Sequence, residues 1–234
     1  MIVAAECGPR IALIHALAHS VAPINEAMQR SWPEAVRMNL LDDSLSADLA
    51  HNTAAGRVGL DEVMHQRFEA LAAYAEKTGA QALLFTCSAF GPCIEAVAAR
   101  RPAIPVLKPN EAMVADAVSA AAGGRIGLIA SFAPTLATMP AEFPPGADLF
   151  TALAAGAMDA LNRGEGALHD ALVVKTAKGL KEQGCCVIAL AQFSMARAQA
   201  AVEQAVGLTV LTTPGSAIRV LRQRLQSKVA VKQA

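Results

Sequence analysis

The residues with the clearest chemistry are Thr86-Cys87-Ser88-Ala89, which follow the apolar run Leu83-Leu84-Phe85 and precede Gly91-Pro92. An apolar strand that ends on a thiol, followed by small residues and a helix start, puts the sulfur where a helix dipole and free backbone N–H groups favour the thiolate. The same types also suit an inert buried cysteine, since free cysteine is among the most buried residues. Three other polar sets close apolar runs in the same way. They are His15 after Ile11-Ala-Leu-Ile, Ser131 with Thr135 after Ile126-Gly-Leu-Ile-Ala, and Gln192-Phe193-Ser194 after Val187-Ile-Ala-Leu-Ala.

These residues need strands and helices to place them, and the pattern supplies both. Strands are expected at 10–16, 36–41, 83–87, 104–107, 125–131, 149–153, 187–191 and 209–212. Helices are expected at 21–32, 60–77, 92–100, 111–122, 166–183, 195–205 and 215–228, with Asp42-Asp43-Ser44 capping the segment after the second strand. Such alternation predicts an α/β fold with mostly parallel sheets. Trp32 and Tyr74 read as packing residues, and the basic residues of the last helix (Arg219, Arg222, Arg224, Lys228, Lys232) as a solvated face.

The pattern also restarts. Arg10-Ile-Ala-Leu-Ile matches Arg125-Ile-Gly-Leu-Ile, and Gly79 to Cys87 overlies Gly184 to Gln192 without a gap. Pro109-Asn-Glu-Ala112 runs parallel to Pro214-Gly-Ser-Ala217. The internal repeat predicts two pseudo-symmetric halves, each a four-stranded sheet flanked by helices. Ligands of open parallel sheets bind outside the carboxyl ends of the strands. Two such halves then make a cleft, with Cys87 on one wall and Gln192 on the other. The halves are set at 1–112 and 113–214. Cys185 and Cys186 fall at the wrong strand end for the cleft and read as core.

Composition narrows the function. Lys plus Arg equals Asp plus Glu at 20 each, so the net charge is zero and nucleic acid or an anionic membrane surface is not an expected partner. No apolar run approaches a membrane span, and the start shows no secretory pattern. The five cysteines (Cys7, Cys87, Cys93, Cys185, Cys186) are odd in number and fit no zinc spacing. The expectation is a reduced, cytoplasmic protein of enzyme size without metal or cofactor.

On Thr86-Cys87-Ser88, Ser131-Phe132-Ala133-Pro134-Thr135 and Leu190-Ala191-Gln192-Phe193-Ser194-Met195, the chain resembles the aspartate/glutamate/hydantoin racemase superfamily, which includes maleate isomerase and arylmalonate decarboxylase. The resemblance implies a cofactor-independent enzyme in which a thiolate moves a proton at the carbon next to a carboxylate of a small acid or amino acid. It also implies that the last helix, 215–234, returns to pack on the first half. Charge developing on the substrate carboxylate needs donors. Ser88, the N–H groups of Ser88 and Ala89, the Ser131 and Thr135 hydroxyls, Gln192 and the Phe193-Ser194 turn are the candidates. Cys87 is the acid or base, with a lowered pKa expected. Two-thiol members carry a second cysteine where this chain has Gln192, and an amide is neither acid nor base near neutral pH. His15 is then the candidate second acid, with His19 and His51 behind it. Lys108 is a candidate partner for a second carboxylate, and Asp42 and Asp43 read as caps. A racemase-type isomerase is the first reading, a single-thiol decarboxylase the second, and a non-catalytic carboxylate-binding protein the third. A homodimer is the expected assembly.

Overall fold

The computed structural model describes residues 8–233, with side chains described through residue 227. Cys7 and the side chains of Lys228 and Lys232 lie outside the described residues. The order of elements is β1 (Arg10–His15), α1 (Val21–Ser31), β2 (Val36–Leu41), α2 (Ser44–Ala54), α3 (Glu62–Lys77), β3 (Ala82–Phe85), α4 (Gly91–Ala99), β4 (Val106–Leu107), α5 (Glu111–Ala121), β5 (Ile126–Ala130), α6 (Ala133–Thr138), β6 (Leu149–Leu153), α7 (Ala157–Asn162), α8 (Gly166–Glu182), β7 (Val187–Leu190), α9 (Gln199–Val206), β8 (Thr209–Thr212) and α10 (Thr213–Gln233). Among these residues no helix is long and apolar enough to cross a membrane.

Two four-stranded sheets form, ordered β2-β1-β3-β4 and β6-β5-β7-β8, and every pairing is parallel. The strands β3, β5 and β7 are buried at every position, as expected of parallel strands covered on both faces. The two sheets share one register. Ile11 pairs with Ala82 as Ile126 pairs with Val187, so Cys87 and Gln192 stand five residues beyond equivalent points.

The repeated arginine has a structural job. Arg10 donates to the Thr78 carbonyl (3.0 Å) and Arg125 to the Gln183 carbonyl (2.8 Å), so each closes the C-terminus of the helix that feeds the thiol or amide strand. The next residues, Gly79 and Gly184, both take φ of +84°, a conformation that glycine adopts without steric cost. At its other end, α3 starts on Asp61, whose carboxylate accepts from the Met64 N–H (2.9 Å).

Each sheet is covered on both faces. On the first, one face packs Leu45, Leu49, Phe68, Phe90, Ile94 and Val97 from α2, α3 and the α4 region. The other face packs Ile24 and Met28 of α1 with Ala217, Ile218 and Leu221 of α10 against Ile11, Leu13, Ala82 and Leu84. The last helix therefore returns to the first sheet, while α5 packs Met113, Val114 and Ala117 on the second. Among the basic residues of α10, Arg219 pairs with Asp116, Arg224 with Glu111, and Arg222 with Glu34 while lying over the Trp32 ring.

Several expectations need correction. Tyr74 lies on the solvent side of α3 at 57% exposure, and Cys186 is exposed, whereas Cys185 is buried. Pattern reading also passed over α6 and α7, which at six residues each are too short to show helical periodicity.

Candidate active site

Buried polar side chains gather at the carboxyl ends of the strands. His15 ends β1, and Ser46, Thr86, Ser88, Asn110, Ser131, Thr135, Gln192, Ser194 and Thr213 follow a strand within a few residues; each is less than 9% exposed. Buried polar groups need partners, so the partners define the site.

Cys87 follows β3 and opens a short 3-10 turn, Ser88–Phe90, with α4 starting after it. Its side chain faces a small cavity lined by Ile14, His15, Ala16, Leu45, Phe68 and Phe85 that has no room for a water molecule. Burial pushes the thiol up to about 11, against the Ala89 N–H and the Ser46 hydroxyl, which favour the thiolate. The lowered pKa expected from the sequence is thus overturned. The helix N-terminus is displaced by the intervening turn, and apolar burial outweighs two donors.

His15 is fully buried and committed at both nitrogens, with Nδ1 2.8 Å from Thr86 Oγ1 and Nε2 2.9 Å from Asn39 Oδ1. Asn25 donates to the same Asn39 oxygen at 2.8 Å. That oxygen only accepts, so the His15 proton sits on Nε2 and Nδ1 accepts from Thr86. Desolvation lowers the His15 pKa, against the Asn39 hydrogen bond, and the ring is neutral. Its placement does not match a free second acid facing Cys87. It holds Thr86, the neighbour of Cys87, in place.

After β7, Gln192 is 6% exposed and its Oε1 accepts three hydrogen bonds. The donors are the Ser131 N–H (2.6 Å), the Phe132 N–H (3.1 Å) and the Ser131 hydroxyl (3.1 Å). Three converging donors fix which end of the amide is oxygen. The Nε2 group is left without a hydrogen-bond partner among the described residues. The halves meet where Ser88 Oγ donates to Thr135 Oγ1 at 3.3 Å.

The remaining predicted residues divide. Ala89 and Phe193 are both buried. The Ala89 N–H favours the Cys87 thiolate, and Phe193 belongs to the first-half core with Leu84, Leu107 and Ala217. Ser194 is 1% exposed with an unpartnered hydroxyl. His19 bonds Asn162 (3.0 Å), and Lys108 is paired with Glu95 (2.5 Å) rather than free for a second carboxylate. Asp42 is clamped by Arg67 (2.7 Å) and accepts from Ser44 (2.6 Å). A groove of about 550 Å³ between α1 and the loop after β7, lined in part by His19, Glu26, Arg30, Ser194 and Arg197, does not include Cys87.

Sequence reading missed Ser46, Asn39 and Asn25. Ser46 was within reach of the rule that found Cys87, because it follows the carboxyl end of β2. No group of three or more His, Cys, Asp or Glu side chains among the described residues is placed to hold a metal ion.

A pair of parallel half-domains with one buried thiol and one anchored amide at matching strand ends defines a class, and comparison gives it a family. The chain belongs to the Asp/Glu/Hydantoin racemase family, whose model matches residues 16–221. No curated protein matches the sequence significantly. Among solved structures, the chain is similar to glutamate racemase isoform RacE1 from Bacillus anthracis, with TM-score 0.74 at 12% identity, over 95% of this chain and 83% of that one. Glutamate racemase from Francisella tularensis in complex with D-glutamate gives 0.71 at 11%, over 95% and 82%. Allantoin racemase from Klebsiella pneumoniae gives 0.62 at 15%, over 96% and 89%. At these identities the likeness is one of fold.

Proposed function

We propose that this protein is a cofactor-independent racemase-type isomerase in which Cys87 transfers a proton at the carbon next to the carboxylate of a small acid or amino acid. The observation that carries the reading is the thiol itself, buried just past the end of β3 and next to Ser88, whose hydroxyl makes the contact between the halves. Family membership supports it, as do the shared folds of glutamate and allantoin racemases. The Ser131 and Thr135 hydroxyls and the free Gln192 Nε2 group are the donors proposed for the substrate carboxylate. A developing enediolate charge needs such donors, typically worth about 3–4 kcal/mol each. Substrate entry then requires Ser88 and Thr135 to part.

A second reading is favoured by the burial that pushes the Cys87 thiol up to about 11 and by an amide, which is no base, at Gln192. In a decarboxylation, the bond to a leaving carboxylate breaks, CO₂ departs, and the electron pair stays on the enediolate. The Cys87 thiol then gives its proton to one face of the carbon and regains one from solvent. No base is required at the outset.

Incubation with candidate acids in D₂O, followed by NMR at the α-position, separates these readings. Deuterium with loss of optical purity supports the isomerase. Release of CO₂ with single-face deuteration supports the lyase. Binding without exchange on any acid tested, unaltered by Cys87→Ala, overturns both in favour of a carboxylate-binding protein.

A further inference from the structure

The groove between α1 and the turn after β7 shares no lining residue with the thiol cavity. Its volume of about 550 Å³ suits a small ligand. From the first half it is lined by Glu26 and Arg30, one turn apart on α1. The two are spaced to pair with each other. Yet neither has an ion-pair or hydrogen-bond partner among the described residues. From the second half it is lined by Arg197, whose Nε and Nη2 bond Asp170 (2.9 and 3.2 Å). The Arg197 Nη1 is left without a partner among the described residues. The guanidinium lies against Gly166 at the start of α8, where a Cβ would overlap it, so the bare glycine gives Arg197 its seat. Ser194 lines the same groove three residues earlier in the turn. It is 1% exposed, and its hydroxyl has no hydrogen-bond partner among the described residues. A buried hydroxyl ordinarily has one. The groove also reaches Gly215 in the first turn of α10, which carries no acidic residue. A helix N-terminus of that kind favours an anion.

We propose that this groove is a second ligand site, separate from the thiol, for a small zwitterion of the α-amino acid type. The ligand carboxylate meets the Arg30 guanidinium, the unspent Arg197 Nη1 and the Ser194 hydroxyl. The ligand ammonium group meets Glu26. Hydrogen bonds between guanidinium and carboxylate are charge-assisted and among the stronger ones. Ser194 gains in the complex the partner it lacks without it. The charges select the ligand class. A simple anion leaves the Glu26 carboxylate unpaired beside it, and a simple cation faces two guanidiniums and the α10 terminus. The one-turn spacing of Glu26 and Arg30 suits a ligand whose two charged groups share a carbon.

Glycine, which has no stereocentre to invert, is the probe. Isothermal titration measures its binding to wild type, Arg30→Gln, Glu26→Gln, Ser194→Ala and Ser131→Ala, the last a donor proposed for the thiol site. Acetate and methylammonium are titrated alongside. The expected result is saturable glycine binding that weakens about tenfold in Arg30→Gln and Glu26→Gln, weakens several-fold in Ser194→Ala, and does not change in Ser131→Ala. Acetate and methylammonium each bind wild type about tenfold more weakly than glycine, and Glu26→Gln erases the preference for glycine over acetate. Glu26 and Arg30 are exposed and unpartnered, so their variants keep the fold and decide the matter even if Ser194→Ala does not. Absence of saturable glycine binding up to about 10 mM overturns the proposal. So does equal affinity of wild type for acetate and glycine. Loss of binding in Ser131→Ala with none in Arg30→Gln puts glycine at the thiol site and overturns it too. Failure of Cys87→Ala to abolish α-exchange would instead overturn the proposed function and leave these titrations standing.

Discussion

The end of β3 and the end of β7 occupy the same place in the repeat and solve opposite problems. At the first, Cys87 is enclosed by apolar side chains and His15, and burial pushes its pKa up. At the second, Gln192 is held by three donors through its oxygen and offers only an amide N–H₂ outward. One end has a transferable proton in a dry cavity, and the other has a fixed donor that cannot titrate. Equivalent backbone therefore does not imply equivalent chemistry. The difference comes from what flanks each strand end: α2 and His15 on the first side, and the Ser131-Phe132 turn on the second.

The largest test of this contrast is Cys87→Ala. We expect α-deuterium exchange to fall by about 10²–10⁴-fold, the usual share of a positioned acid or base, measured by NMR in D₂O. Gln192→Cys sharpens it from the other side. A thiol on the second wall should add loss of optical purity to exchange on a chiral acid, followed by polarimetry, and unchanged stereochemistry would show that the two ends are not functionally opposed. Gln192→Leu strands three donors, and urea unfolding should show a loss of about 1–3 kcal/mol, while Gln192→Glu, which keeps an acceptor, should lose less.

Two smaller effects concern pH. Burial lowers the folded-state pKa of His15 below its ordinary 6.5, so below that value the unfolded chain binds more protons. The stability that neutral His15 contributes is present above pH 6.5 and lost as pH falls. The drop in urea midpoint between pH 7.5 and 5 should shrink in His15→Gln. The thiol has the opposite sign. Folded Cys87 keeps its proton to about 11 and the unfolded thiol loses it near 9, so its contribution is lost between pH 9 and 11. Cys87→Ser should flatten that alkaline limb slightly in thermal melts.

Much of this architecture was legible because the repeat is written in residues with fixed physical duties. Arg10 and Arg125 close helix ends, Gly79 and Gly184 take the same positive φ, and apolar runs become doubly covered strands. The strand-end rule led to Cys87, Ser131, Thr135 and Gln192, all of them buried near strand ends. Three things were not legible. The Cys87 pKa depends on how many apolar groups surround the sulfur, which spacing does not encode. His15 looked free because its partners Asn39 and Asn25 come from β2 and α1 and show no local pattern with it. That the Phe193 side chain joins the core of the other half was hidden too, because Leu84 lies more than a hundred positions away in the chain.

The return of α10 to the first sheet has a consequence for how the molecule is made. Residues 111–212 contain the second sheet with α5 to α9, so that half has its own flanking helices once Thr212 has been synthesised. The first half, although made earlier, waits with Ile11, Leu13, Ala82 and Leu84 partly uncovered until Ala217, Ile218 and Leu221 emerge. The half bearing Cys87 thus gains this cover after the second, although the thiol cavity, lined by residues within 14–87, lies on the opposite face of the sheet.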